Sequence, residues 1–339
     1  MNNKKPVVTV VTATYRNFEH LFQTMLSVFE QSYPEIQYII TDDGSADFPE
    51  NEIEEFIKTN NKKQYDVLVI HQAENLGTVK NLNSAYKQGK GEYFINLSCG
   101  DVFFDVNVVE RIVNEFLTRN SDVIVTTRIL YKGDFEPVCF LPHYEERQII
   151  AKWKTGIEQY KAFITGMSYD MASGSAMHFS RKILETIGYF DERYVLWEDG
   201  PFLAKYLQIG KIDCAYDIIS IWYESGGGSD TRSKSKKPAI SVAKQKLLND
   251  TILFDRYERK LRLDLLNRRE KRIVDLRIKR REYRDSKKRY LLNILYFPER
   301  LICKQYTVSR KKRYKKDIIE IGKIIDDPNR KDFLCKFRL

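Results

Sequence analysis

IQYIITDDGSAD (36–47) is a run of β-branched and aromatic residues that stops in two aspartates, a glycine and a serine. A strand covered on both faces reads this way, continuously apolar and closed by turn chemistry. The same design recurs on either side of it. Upstream, VVTVVTATYRN (7–17) ends a β-branched run in threonine, tyrosine, arginine and asparagine; downstream come NLGTVKNLN (75–83), NLSCGD (96–101) and WEDG (197–200). Each places small, acidic or amide residues where a buried strand gives out into a loop, and in an open α/β sheet ligands bind at that carboxyl edge.

Between these stretches the hydrophobic period changes. Residues 19–31 carry Leu21, Phe22, Met25, Leu26 and Phe29 at helical spacing, and 50–59 carry Ile53, Phe56 and Ile57. Strands are expected at 7–11, 36–41, 67–70 and 93–97, with a further helix at 78–88. Strands alternating with helices of this length specify an α/β fold, an open, mostly parallel sheet with helices on both faces. A helix at 106–117 and a strand at 123–127 follow. Residues 130–166 then mix Pro137, Pro142, aromatics and charges without a clear period, and are read as a variable, acceptor-side region. Regularity returns with a strand at 174–179, helices at 181–187 and 199–209, and a strand at 218–223. SGGGSDTRSKSKKP (225–238) has the composition of a boundary. It divides the chain into a domain at 1–225, a flexible loop or linker at 226–238 and a basic helical extension at 239–339.

Taken in order, the five stretches resemble the family 2 glycosyltransferases of the GT-A fold, particularly bacterial enzymes of surface-polysaccharide assembly. The resemblance covers roughly the first two-thirds of the chain. It implies a nucleotide-sugar donor, bound by Thr14, Tyr15, Asp42, Asp43, Lys80 and Ser98, and transfer with inversion to an acceptor hydroxyl. Asp43 matches the base contact, since a carboxylate at a strand end can accept from a uracil N3–H or a ribose hydroxyl, and Tyr15 offers an aromatic face. The alternative for this motif is an Asx-type turn. In NLGTVKNLN, Gly77, three asparagines and Lys80 open a helix whose N–H groups favour a phosphate; a capped surface helix with a solvated lysine is the other reading.

The Asp-any-Asp motif that holds a divalent cation in the family aligns with Ser98-Cys99-Gly100, leaving Asp101 as the acidic residue and metal ligand. Mg²⁺ or Mn²⁺ is the implied cofactor, since such ions keep several waters and rely on substrate phosphates. Capping of the next helix is the alternative for Asp101. Glu198 and Asp199 match the family's Glu-Asp pair, with Asp199 as general base and Trp197 stacking on the acceptor sugar. A Glu-Asp pair in a first helical turn also complements the helix dipole. Arg232 and Lys234, in the glycine-flanked loop, are candidates to close over the diphosphate. His178 is read as a satisfied core histidine.

Charge separates the two ends of the chain. Residues 1–228 carry 22 Lys and Arg against 32 Asp and Glu, a net of −10, while 229–339 carry 35 against 15, a net of +20. The basic end suggests a polyanionic surface. Within it Leu291, Leu292, Ile294, Leu295, Tyr296 and Phe297 lie among cations, the pattern of a helix in an anionic membrane interface, with a helical hairpin packed on the catalytic domain or a second subunit as the alternative. Five widely spaced cysteines fit reduced thiols rather than a disulfide framework. Without a secretory signal or an 18-residue apolar run, the chain is expected in the cytoplasm, peripherally on the inner face of the membrane, working on a lipid-linked glycan. A sugar-nucleotide nucleotidyltransferase would need a glycine-rich phosphate loop after the first strand, and TATYRN has no glycine. A nucleic-acid-binding protein would use the basic end, but no RNA-binding module is present there, and nucleic acid is not an expected partner.

Overall fold

A computed structural model describes residues 5–166, 170–224, 238–282, 310–326, 333, 334, 336 and 337. Strand β1 (Val8–Thr14), helix α1 (Leu21–Phe29), β2 (Ile36–Asp42), α2 (Glu50–Asn60), β3 (Asp66–His71), α3 (Thr78–Gln88) and β4 (Tyr93–Asn96) alternate as the periodicity specifies. Four strands lie side by side in the order β3-β2-β1-β4, all parallel. Period-2 alternation divides their side chains between two cores. Val8, Val10, Tyr38 and Ile40 pack with Leu21, Met25 and Val28 of α1 and Ile53 of α2, while Val11 and Ile39 pack with Val79, Leu82 and Tyr86 of α3 on the other face.

The second half of the sheet is mixed. After β5 (Val102–Phe103) and α4 (Val108–Arg119) come the long strand β6 (Val123–Lys132), its hairpin partner β7 (Glu136–Leu141), β8 (Met177–Ser180) and β9 (Asp213–Glu224). β8 inserts antiparallel to both β4 and β6, β9 is parallel to β6, and β5 pairs antiparallel with the end of β9. The stretch without a clear period resolves into β7, α5 (Tyr144–Ile150) and α6 (Gly156–Thr165). Helices α7 (Arg181–Ile187) and α8 (Asp199–Tyr206) follow β8. The sheet thus has helices on both faces and a helical C-terminal region, as the sequence led us to expect. His178 lies in β8 with no exposure; Thr126 Oγ1 is 3.0 Å from its Nε2, and burial pushes its pKa down to about 3, so it is a neutral core residue.

Of the expected boundary at 226–238 all but Pro238 lies outside the described residues, as do Arg232, Lys234 and the apolar patch at 291–297. Beyond it, α9 (Pro238–Arg256), α10 (Arg268–Glu282) and the connection between them pack Phe254, Val274 and Leu266 into the α3 core. Helix α11 (Arg310–Ile325) and the residues after it send Ile321, Phe333, Leu334 and Phe337 into the opposite core. Asp317 of α11 is 1% exposed and accepts the N–H groups of Phe140 (3.3 Å) and Tyr144 (3.2 Å). With His143 and Cys139 it forms a group of possible metal-binding atoms within 4.8 Å of one another. Among the described residues no helix is long and apolar enough to cross a membrane, and none of Cys99, Cys139 and Cys214 is in a disulfide.

Candidate active site

The five loops named by the sequence converge at the carboxyl edge of the parallel strands, and they hold one another through side chains. Asp42 closes its own turn: Oδ2 accepts the Ser45 N–H and Oδ1 the Ser45 hydroxyl, both at 2.7 Å. Ser45 Oγ in turn accepts the Arg16 N–H at 2.9 Å, which ties this turn to the end of β1. Asp43 reaches across to the loop before α3. Its Oδ1 accepts the Leu76 N–H at 2.8 Å, and its Oδ2 accepts the Asn75 side-chain amide at 2.8 Å and the Gly77 N–H at 3.1 Å. Burial raises the Asp43 carboxyl above its ordinary range, and the Leu76 and Gly77 N–H groups pull it back. Both aspartates therefore hold the loops after β2 and before α3 from within.

The asparagines of NLGTVKNLN are engaged in the same way. Asn81 Oδ1 accepts the Thr41 hydroxyl at 2.6 Å, and Asn83 exchanges hydrogen bonds with the backbone of Phe190 at 2.9 and 3.0 Å. Gly77 has φ +91°, and a Cβ there would lie 2.7 Å from Val195 Cγ1, so a side chain at this position would push away the loop leading to Glu198. Thr14 is buried, with its hydroxyl donating to the Asn17 carbonyl at 3.1 Å. Tyr15 is 38% exposed, the Arg16 guanidinium lies 5.0 Å from its ring centroid, and Lys80 and Ser98 are exposed. The edge thus presents an aromatic face, a lysine and a hydroxyl around a rigid frame.

Glu198 and Asp199 stand at the start of α8, partly open to solvent and otherwise enclosed by protein. Asp199 Oδ2 accepts the Gly174 N–H at 2.9 Å, and Gly174 is anchored in turn by Asn96, whose amide donates to its carbonyl at 3.2 Å. Burial lifts the carboxyls of both Glu198 and Asp199, and the charge of Asp199 lifts Glu198 further. Hydrogen bonds from Gly174, Trp197 and Gly200 partly offset this at Asp199. A carboxylate so placed is a stronger base than one in water. Trp197 packs against Phe254 of α9, with ring centroids 4.8 Å apart.

Sequence reasoning missed the residue that sets this loop. Asp250 of α9, 3% exposed, accepts three successive backbone N–H groups: Val195 at 3.0 Å, Leu196 at 2.6 Å and Trp197 at 3.1 Å. It lies in a segment whose surplus of cations suggested a partner surface, and nothing local marks it. Glu258 adds a second anchor, accepting Arg193 Nη2 at 2.7 Å and the Tyr194 hydroxyl. Charge-assisted bonds of this kind are worth about 1.5–3 kcal/mol each. Asp250→Asn is accordingly expected to lower kcat about tenfold or more with little change in nucleotide affinity. An equal fall in both, measured by steady-state kinetics and nucleotide titration, would make Asp250 a general stability residue rather than one that positions the Glu-Asp pair.

Asp101 follows the turn after β4. It is 3% exposed, Oδ1 accepts the Glu224 N–H at 3.1 Å, and Oδ2 has no partner. Burial pushes its carboxyl up to about 8, against the Glu224 N–H and the charge of Arg128. A buried carboxylate with an unpartnered oxygen is costly in water's absence, and a hard divalent cation relieves that cost. The oxygen donors present therefore fit Mg²⁺ or Mn²⁺. Arg128, also missed from the sequence, is held by Asp170 at 2.6 Å and by the hydroxyls of Ser173 and Ser175 at 3.0 and 2.6 Å.

A strand-end edge built in this order, on a parallel sheet continued by β8 and β9, is the GT-A glycosyltransferase architecture. The chain belongs to glycosyl transferase family 2, whose profile matches residues 9–188, more than half of its length. It is 25% identical over 224 residues to an uncharacterized glycosyltransferase of Rickettsia typhi, covering 64% of each chain. It is 31% identical over 101 residues to the putative teichuronic acid biosynthesis glycosyltransferase TuaG of Bacillus subtilis, covering 30% of this chain and 38% of TuaG. The chain thus spans less than two-thirds of the length of these relatives. Among solved structures, S. aureus TarS 1–349 in complex with UDP-GlcNAc aligns with a TM-score of 0.55 at 18% identity, over 83% of this chain and 74% of that one. The mannosyltransferase PcManGT of Pyrobaculum calidifontis, in complex with GDP-Man and Mn²⁺, aligns with a TM-score of 0.53 at 15% identity, over 96% and 89%. These two likenesses establish the fold.

Proposed function

We propose that the protein is an inverting glycosyltransferase that moves a sugar from a UDP-linked donor to a hydroxyl of a lipid-linked glycan in cell-surface polysaccharide assembly. The observation that carries this reading is the half-buried Glu198–Asp199 pair, fixed by Gly174 and Asp250 beside the loops of Asp42 and Asp43. Asp199 takes the proton of the acceptor hydroxyl as that oxygen bonds to the anomeric carbon and the bond to the diphosphate breaks. Tyr15, Ser98 and Lys80 line the nucleotide side, with Asp42 and Asp43 holding the loops that shape it. Asp101 would hold a divalent cation, which would supply positive charge to the leaving diphosphate. Sugar nucleotides built on UDP suit a polysaccharide role such as the teichuronic acid biosynthesis for which TuaG is named, and TarS is a neighbour seen with UDP-GlcNAc.

Membrane contact through the basic C-terminal region completes the reading, because a lipid-linked acceptor keeps its sugar end at the bilayer surface. Its support is the +20 charge of residues 229–339. Binding to anionic vesicles that weakens with salt is the expected result; indifference to them at low salt, together with a dimeric elution volume, would assign the region to subunit contact instead. The decisive assay for the reaction is release of UDP or GDP by hydrolysis from a panel of nucleotide sugars. Release from one or a few UDP-sugars is expected. Silence across the panel, with stabilisation by CTP or RNA, would overturn the proposal.

A further inference from the structure

Gly100 occupies the place of the second aspartate in the Asp-any-Asp alignment, so the loop after β4 lacks a carboxylate there. The structure fills that space from elsewhere. A Cβ built on Gly100 would lie 2.2 Å from Oε2 of Glu224, so the Glu224 carboxylate sits where a side chain at position 100 would begin. Strand register brings it there. β5 pairs antiparallel with β9 through Val102↔Trp222 and Phe103↔Ile221, and just beyond this pairing Glu224 donates its N–H to Asp101 Oδ1 at 3.1 Å. Gly100 adopts φ +95°, and its carbonyl accepts the Tyr131 hydroxyl at 2.9 Å, which holds the turn against β6.

Two buried oxygens in this corner, Asp101 Oδ2 and Glu224 Oε2, have no hydrogen-bond partner. The other Glu224 oxygen, Oε1, lies 3.3 Å from His20 Nε2, which orients the carboxylate. Arg128, whose charge acts on Asp101, has hydrogen bonds to Asp170, Ser173 and Ser175. One from the turn after β4 and one from the end of β9, these two unpartnered carboxylate oxygens form a site for a hard cation.

We propose that Glu224 supplies from β9 the carboxylate that Ser98-Cys99-Gly100 lacks, so that Asp101 and Glu224 together hold one Mg²⁺ or Mn²⁺. The role of that cation in transfer rests on the function proposed above, but its binding does not. The full chain, freed of metal with EDTA and dialysed, is titrated with Mn²⁺ alone while free Mn²⁺ is followed by electron paramagnetic resonance. One Mn²⁺ per chain is expected. Asp101→Asn and Glu224→Gln should each weaken it at least tenfold, and Glu224→Asp should recover part of the loss. Because neither amide carries a charge in this buried corner, both should melt no lower than the parent in EDTA.

Unchanged Mn²⁺ affinity in Glu224→Gln would overturn the proposal, as would tight binding in Asp101→Asn. If Glu224→Gln does not fold, Glu224→Asp decides, since a shortened carboxylate that binds Mn²⁺ as tightly as the parent also overturns it. Dependence of Mn²⁺ on both carboxylates, with no hydrolysis of any nucleotide sugar, would leave this site standing and remove the function. Hydrolysis with Mn²⁺ binding indifferent to Glu224 would do the reverse.

Discussion

Asp199→Asn is expected to reduce sugar transfer at least about a hundredfold, the usual scale of a lost general base, with nucleotide affinity unchanged. The pH profile of the parent should show why. Burial lifts the Asp199 and Glu198 carboxyls above the ordinary range, and the base must be deprotonated to act. kcat should therefore fall as pH drops through a midpoint above about 4, the value of a free carboxyl. For stability the same shift works in the other direction. The folded chain keeps a proton that the unfolded chain releases near pH 4, so the pair's contribution declines as pH rises from there through the raised pKa. Asn at 199 carries no charge, can still accept the Gly174 N–H, and should melt no lower than the parent at pH 7. Near-normal turnover in this variant would take Asp199 out of the mechanism.

Removal of everything after Pro238 is expected to abolish cooperative folding, not merely membrane or acceptor binding. The deleted part buries Phe254, Val274, Ile321, Phe333, Leu334 and Phe337, each 4% exposed or less. At roughly 2 kcal/mol for each such side chain, their loss rivals the whole stability of a typical domain. It would also leave the Val195, Leu196 and Trp197 N–H groups without Asp250 and the Tyr194 hydroxyl without Glu258. Circular dichroism and thermal melting of the 1–238 fragment test this. A sharp, two-state melt near that of the full chain would mean that the C-terminal helices are attached to a self-sufficient domain.

The first half of the fold was legible because its signals are local. Strands β1 to β4 are short apolar runs closed by turn residues, and α1 to α3 show their apolar faces at helical spacing, so each element carries its own evidence. The antiparallel insertion of β8 between β4 and β6 has no local signal, since MHFS at 177–180 would serve a parallel strand equally well. Residues 130–166 gave no period because β7, α5 and α6 are short and bury side chains in two different directions. Phe140 enters one core, while Tyr160 and Ile164 enter the other.

The candidate site divides in the same manner. TDDGSAD, NLGTVKNLN and WEDG were found because a loop that must hold its shape at a strand end needs Asp, Asn and Gly at fixed offsets. What each does there was decided by neighbours far along the chain: Asp43 by Asn75 to Gly77, Asp199 by Gly174, and Asp101 by Glu224. By itself, the sequence determined the alternation of elements and the edge at which chemistry gathers, both of which follow from local spacing, and the order of its five loop motifs carried the resemblance to the family. Only the tertiary structure decided that C-terminal side chains such as Phe254, Val274 and Ile321 pack into the two cores of the sheet, and that Asp250 and Glu224 reach the site. Pairings across 54 and 123 residues depend on strand register and helix docking, which no local pattern of charge or hydropathy records.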